Sequence, residues 1–569
     1  MNQFPHFPSR TVVNLDGTWE FAFAENKQLE VFSGADFTAD GIMQVPACFD
    51  TLPDYYCKRG TAFYRREFVL DAAAPRAVLK LGGLGLRARF WLDGKEIGFT
   101  NLPYSGVEFP INRALAAGRH VLTAAIDNTF DEQKMKLFHP YYDFYAYGGF
   151  YRGVELHVLP KDYALQRVQV RTLDHRTGKV ALRFLFNGKT PATVKAAVKF
   201  DTDKKPRALA LAVKDGAAEW EGAVPDFKPW TPAKPCLHTV DAAMDNGDRV
   251  IERFGIREIA VRGKKILLNG KNLYLKGFNR HDAYPQSGAA TPETVMLEDL
   301  QNLRRLGCNF LRGAHYPQSQ RFLDLCDEFG MLVWEESLGW GNFANHLEDP
   351  EFCALQEEQT RLMVRNSVNH PAVIIWGFLN ECDSGHESGR ALIERLAKAV
   401  KEEDASRLVT FACNHNGNDL GNAHTDIVAF NTYPGWCDND SSRDPIGKIA
   451  PDVKQIVKFY QNKFPEGKPI MVSEMGTCGI YGARDGAGAQ WTEDFQAEYL
   501  GELSRAVLAN PEICGLTIWQ FNDAKSYLRF GASPRCKPLA QNLAGVFDAY
   551  RRPKKAAETM RAMFKDYKK

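Results

Sequence analysis

At 569 residues the chain is too long for one hydrophobic core and should divide into roughly three or four domains. Its 71 basic and 70 acidic side chains leave a formal net charge of +1, which argues against nucleic acid or an anionic membrane as partner. With 44% apolar and 25% charged residues the composition is that of a globular protein, and no apolar run approaches the ~20 residues that span a bilayer.

The opening stretch "MNQFPHFPSRTVVNLDG" lacks a basic region followed by an apolar one, so no secretory signal is visible and a cytoplasmic setting is expected. Residues 1–160 then read as short strands: "GTWEFAF", "TAFYRREFVL", "RAVLKLGGLGLRARFWLDG", "GRHVLTAAIDN" and "GVELHVLP". Apolar and polar positions alternate between Gly, Pro, Asn and Asp turns, as in an antiparallel sandwich. Residues 161–257 repeat the style in "YALQRVQVRT", "KVALRFLFNG" and "ATVKAAVKFD", and suit an immunoglobulin-like sandwich.

From residue 258 to 569 the period changes. Eight apolar strands, in "NLYLKGFNRHD", "NFLRGAHYP", "MLVWEES", "VIIWGFLNE", "RLVTFACN", "IVAFNTYPGW", "PIMVSEMG" and "CGLTIWQFND", alternate with helices or helix-length connections. Helices are expected over 294–306, 317–329, 352–369, 389–403 and 492–509. Leu297, Leu300, Leu303 and Leu306 share one face of the first. Eight such units predict a (β/α)8 barrel, whose active sites lie at the C-terminal ends of the strands. The twelve cysteines show neither C-x-x-C pairs nor zinc spacing; several, Cys308, Cys326, Cys413 and Cys514 among them, fall inside expected strands or helices as small apolar fillers.

Those strand ends carry Arg280-His281-Asp282, His315-Tyr316, Glu335-Glu336, Asn380-Glu381, Asn414-His415, Tyr433, Glu474 and Trp519. Glu381 closes the fourth strand and Glu474 the seventh, which face each other across a barrel mouth. Paired carboxyls flanking a bond serve glycoside hydrolysis: one protonates the leaving oxygen, the other attacks the anomeric carbon or activates water. The apolar strand around Glu381 favours its acid form. Glu474 would stay ionised if Arg312 and Tyr433 donate to it. A single strand-end Glu is more often a structural acceptor, and Glu335 and Glu336 are read that way.

"GFNRHD", "LRGAHYP", "CDEFGMLVWEES", "HPAVIIWGFLNE", "FNTYPGW", "IMVSEMG" and "GLTIWQFND" together make the chain resemble glycoside hydrolase family 2, over nearly its whole length. "YAYGGFYRGVELHVLP", "NTYPGW" and "YRRPKKAA" look closer to its β-glucuronidase branch. The resemblance implies a jelly roll, an immunoglobulin-like sandwich and a catalytic barrel. It implies a retaining enzyme with Glu381 as acid/base and Glu474 as nucleophile, the latter held charged by Arg312 and Tyr433. Asn380 would bind the sugar 2-hydroxyl. Asp143 would reach from the first domain to the sugar hydroxyls, and His281, His315 and Trp519 would wall the first sugar subsite. Taken alone, Asp143 reads as a turn residue and His315 equally well as a helix cap.

Two departures shape the specificity expected. Family glucuronidases hold the sugar carboxylate with Asn-x-Lys after the eighth strand. Here "QNLAGVFD" supplies Asn542 but has Ala544 where the lysine belongs. Arg535 and Lys537, in the same loop, are the candidate substitutes. The magnesium-ligand positions of the large β-galactosidases are unfilled in "EESLGWGNFANH", so neither a catalytic metal nor another cofactor is expected. The expectation is therefore an exo-acting β-glycosidase for a neutral hexopyranoside, galactose first, on a carbohydrate or glycoconjugate. A β-glucuronidase or β-galacturonidase using Arg535 or Lys537 is the second reading, and a carbohydrate-binding protein that has lost catalysis the third. A homo-oligomer is a further expectation, and aglycone preference is assigned to loops 340–349, 437–446 and 475–491.

Overall fold

The computed structural model describes residues 3–32, 34, 36–436, 444–526 and 537–567. In the first β region a four-stranded sheet (Val12–Asn14, Val154–Leu159, Arg76–Leu81, Val107–Ile111) faces a six-stranded one (Gly41–Val45, Gly17–Glu25, Gly60–Leu70, Gly118–Asp127, Arg87–Leu92, Lys95–Thr100). Trp19, Phe21, Tyr64, Phe90 and Phe150 fill the space between them, the inward half of each strand's alternation. A second two-sheet unit, from Tyr163–Asp174 to Arg249–Phe254, has its own core around Leu182, Phe184, Val198 and Phe254.

The barrel closes through eight parallel strands: β1 (Leu275–Arg280), β2 (Phe310–Gly313), β3 (Leu332–Trp340), β4 (Val373–Asn380), β5 (Leu408–Cys413), β6 (Val428–Asn431), β7 (Ile470–Glu474) and β8 (Ile513–Ile518), with β8 pairing back onto β1. Every residue of β4 is buried, because helices cover a parallel sheet outside and side-chain layers fill it inside. Gly377 is required there: a Cβ would lie 1.9 Å from the Trp334 indole nitrogen. That indole lies under the Arg312 guanidinium, 4.6 Å from its ring centroid.

The observed helices Glu293–Leu306, Pro350–Ser367, Glu387–Glu403 and Glu493–Leu508 lie within a few residues of expectation. The helix expected over 317–329 starts only at Gln320. The preceding residues form a loop pinned by the Gln318 amide, which donates to Glu335 at 3.0 Å. Helices Ile449–Lys463 and Lys555–Asp566 were not anticipated, although Val453, Ile456, Val457 and Tyr460 of the first are buried on one face. Cys308 lies between helix and strand rather than within either. Cys308, Cys326, Cys413 and Cys514 are free thiols. Among the described residues no helix is long and apolar enough to cross a membrane.

Polar joints lock the β regions to the barrel. Asn369 donates to the Val168 carbonyl (2.8 Å) and to Glu252 (2.9 Å), while Arg253 pairs with Asp324 (2.7 Å). From the first β region the loop between Asp127 and Gly149 reaches the barrel mouth. Its Tyr145 amide donates to the Lys525 carbonyl just past β8, at 3.1 Å.

Candidate active site

The floor of the mouth is organised around Arg312 at the end of β2, fully buried and therefore in need of several acceptors. It makes a forked pair with Glu336 (2.8 and 2.9 Å) and donates to Asn279 (3.0 Å), Asn380 (2.9 Å) and Glu474. The second oxygen of Glu474 accepts from the Tyr433 hydroxyl at 2.6 Å. Burial, and then the neighbouring Glu474, raise the Tyr433 phenol well above its ordinary value, so it remains a donor. Glu474 is thus held by a cation and a phenol, an arrangement that favours the carboxylate.

Glu381, immediately after β4, is held differently. Among the described residues its one side-chain hydrogen bond comes from Asn431, at 2.8 Å. Burial, and then the Glu474 charge opposite, push its carboxyl up to about 8. One glutamate is met by a cation and a phenol and the other by an amide, and Asn380, which accepts from both Arg312 (2.9 Å) and Asn431 (3.2 Å), links the two in one network.

The walls are built from three sources. His281 and His315 stand on the barrel rim. His315 stacks on Trp519 (5.2 Å, 16° between planes), and His281 meets the same indole edge-on at 5.3 Å. His315 Nδ1 lies 2.9 Å from Glu336 and His281 Nδ1 lies 3.3 Å from the Tyr316 hydroxyl; Nε2 of each is buried with no partner among the described residues. Ser319, rather than His315, stands at the N-cap of the following helix. Burial lowers both imidazoles, to about 3 for His315, so both rings are neutral. Asn380 likewise keeps a buried NH2 with no partner among the described residues, a donor suited to a ligand hydroxyl.

From the first β region comes Asp143. It is no simple turn residue: it accepts from Asn542 (3.3 Å) and Ser526 (3.3 Å) and pairs with Lys537 at 2.6 Å. Phe144 beside it packs on His281 and His315, at 5.3 and 5.7 Å. Lys537 is buried, its ammonium 4.9 Å from the Trp436 ring centroid. Ala544 is fully buried against Trp519, Leu543 and Cys478. Further along the chain Arg551 is engaged by Asp299 (2.7 Å), Arg552 by Asp548 (2.6 Å), and Lys554 by Asp523 (2.7 Å) and the Gly479 and Leu543 carbonyls (2.6 and 2.9 Å). Arg535 lies outside the described residues.

Three residues of this constellation were not singled out from sequence. Asn279 and Asn431 terminate β1 and β6 and bind Arg312 and Glu381, and Phe144 packs the histidines. The strand-end rule reaches both asparagines, which lie within two residues of His281 and Tyr433. Glu335 and Glu336 part company: Glu336 belongs to the Arg312 network, whereas Glu335 turns away to accept the Gln318 amide. Burial pushes both carboxyls up to about 7.

Among the described residues, one group offers a metal-like ligand set, Asp324, Asp327 and His370 at the joint with the second β region. Its atoms are engaged by Arg253 (2.7 Å), the Ala372 amide (2.9 Å) and each other, and an arginine within the set opposes a cation.

Residues 259–568 match the family described as "Glycosyl hydrolases family 2, TIM barrel domain". Among curated proteins the chain is similar to β-glucuronidases. It is 26% identical to that of Chlorocebus aethiops (98% of this chain, 91% of the relative) and 26% identical to that of Streptococcus agalactiae (97% and 95%). Among solved structures, a family-2 β-galacturonidase from Eisenbergiella tayi bound to galacturonate superposes with a TM-score of 0.89 at 29% identity, covering 99% of this chain and 98% of that one.

Proposed function

Because the chain belongs to glycoside hydrolase family 2 and is a glycoside hydrolase, we propose that it is a retaining exo-β-uronidase, releasing a terminal β-linked hexuronic acid, galacturonic acid first. The observation that carries the reading is Lys537, buried in the glycon wall at 2.6 Å from Asp143 rather than solvated. An ammonium has three donors, so Asp143 does not exhaust it, and a substrate carboxylate is a fitting second acceptor. The site thereby has a cation where Ala544 replaces the expected lysine. The activities named for the relatives, uronidases in each case, favour the same choice over the neutral galactoside expected from sequence.

In the first step Glu474 attacks the anomeric carbon as Glu381 gives its proton to the glycosidic oxygen, and the aglycone leaves as an alcohol. In the second, Glu381, now a carboxylate, takes a proton from water. The resulting hydroxide displaces Glu474 from the sugar, and the acid is regenerated. Asn380 donates to the 2-hydroxyl, and the neutral imidazoles of His281 and His315 offer Nε2 to other ring oxygens. Arg312 keeps Glu474 anionic until attack and receives it again afterwards.

A panel of aryl β-glycosides tests this, with Lys537→Ala alongside. The expected outcome is turnover of the galacturonide or glucuronide far above the galactoside. Loss of Lys537 should cost uronides on the order of 10²-fold in kcat/KM, the size of an unpaired charge contact. A galactoside preference that survives Lys537→Ala would return the neutral-sugar reading.

A further inference from the structure

Past the glycon subsite the mouth continues beside Glu381, where the leaving group must lie because the acid protonates its oxygen. β4 is flanked by β3 on one side and β5 on the other, and the two flanks differ in chemistry. On the β3 side Trp340 pairs in register with Asn380. The segment after it is clipped to both ends of the acid: the Gly341 amide donates to the Asn380 carbonyl (2.7 Å), and the Asp383 amide to the Asn342 carbonyl (2.9 Å). Trp340 packs on Tyr141 and Tyr142 of the first β region (6.4 and 6.2 Å), and Tyr141 packs on Phe343 (5.6 Å). Phe343 is nonetheless 60% exposed, a large apolar ring held at the rim with its solvent face bare.

The β5 side is polar. His415 Nε2 lies 3.7 Å from Asp383, both side chains about one third exposed. Asn416 donates to the Asn431 carbonyl (2.7 Å), whose own side chain holds Glu381. The Leu420 amide ties this loop to the Ser384 carbonyl at 2.8 Å, fixing it beside the acid. An aromatic flank and a hydrogen-bonding flank thus face one leaving group.

We infer that this aglycone subsite is built for a second sugar ring, so that the substrate class is a uronic-acid-capped oligosaccharide rather than a small aryl or alkyl conjugate; this rests on the glycon reading above. A pyranose has an apolar C–H face to lie on Phe343 and Trp340 and a rim of hydroxyls for His415 and Asp383. A flat apolar aglycone would satisfy the first flank and leave the second desolvated and unpaired, a costly mismatch.

The test is kcat/KM for three substrates sharing one glycon: a methyl β-galacturonide, a nitrophenyl β-galacturonide and a β-galacturonosyl disaccharide. Phe343→Ala, at an exposed position, and His415→Ala, at a partly exposed one, should each lower the disaccharide-to-methyl ratio about tenfold. His415→Ala should leave the nitrophenyl-to-methyl ratio unmoved. An unchanged disaccharide ratio in either variant overturns the proposal. So does a Phe343→Ala effect confined to the nitrophenyl substrate, which would mark an aryl subsite. If only galactosides turn over, the uronide reading fails alone, and the same ratios are read on the galactoside series.

Discussion

Glu474 and Glu381 are the same residue at facing strand ends, and their surroundings set them apart. Glu474 is met by a guanidinium and a phenol, and behind the guanidinium stands a second carboxylate, Glu336, that keeps Arg312 oriented. Glu381 is met by one amide, apolar strand and the charge of Glu474. On the proposed mechanism the division of labour between nucleophile and acid is a count of donors: each added donor lowers the cost of an anion, and their scarcity favours the acid form.

The largest effects should come from erasing each side in turn. Glu474→Gln removes the attacking atom and should abolish turnover of every substrate. Glu381→Gln should cost roughly 10²–10⁴-fold, the usual worth of a general acid, for sugar or alkyl leaving groups, and far less for a nitrophenolate that needs no proton. Steady-state kinetics across a leaving-group series checks this. Sensitivity to the leaving group in Glu474→Gln, with none in Glu381→Gln, would exchange the two roles.

A smaller effect probes the support behind Glu474. Glu336→Gln leaves the fork on Arg312 incomplete and frees His315 Nδ1 from its 2.9 Å partner. Misplacing a reacting group by an ångström can cost about 10²-fold, so kcat should fall by about that factor while KM changes little. A loss of thermal stability with kcat intact would show Glu336 to be packing for the floor and no more.

The sequence made the barrel legible because buried parallel strands are continuous apolar runs: "VIIWGFLN" is buried throughout, and the polar residues cluster at its end. Helix Ile449–Lys463 is absent from the expectation although Val453, Ile456, Val457 and Tyr460 have helical spacing and share its buried face. The placement of Glu381 and Glu474 at strand ends of one barrel is legible from strand order alone, and the hydrogen bonds from Arg312 and Tyr433 to Glu474 from their own strand ends. The Lys537–Asp143 pair joins residues 394 positions apart on two domains, which no local period encodes, and Asp143 stood out only through the family resemblance. Glu336 and Glu335 are adjacent in sequence, yet alternation along a strand sends them to different partners, so their separate roles appear only once register is known.

The finest expectation concerns pH, where the donor count becomes measurable. A carboxyl raised to about 8 is protonated below that value and loses its proton above it. Activity limited by proton donation should therefore hold through neutrality and fall as pH rises through about 8, giving kcat/KM an alkaline limb there. Asn431 donates to Glu381 and so stabilises the carboxylate. Removing the donor in Asn431→Ala favours the acid form, and the limb should move to higher pH. A limb that moves down would mean that Asn431 supports the protonated acid. One that stays in place would assign it to a group other than Glu381, and the contrast between the two glutamates would then rest on Glu474 alone.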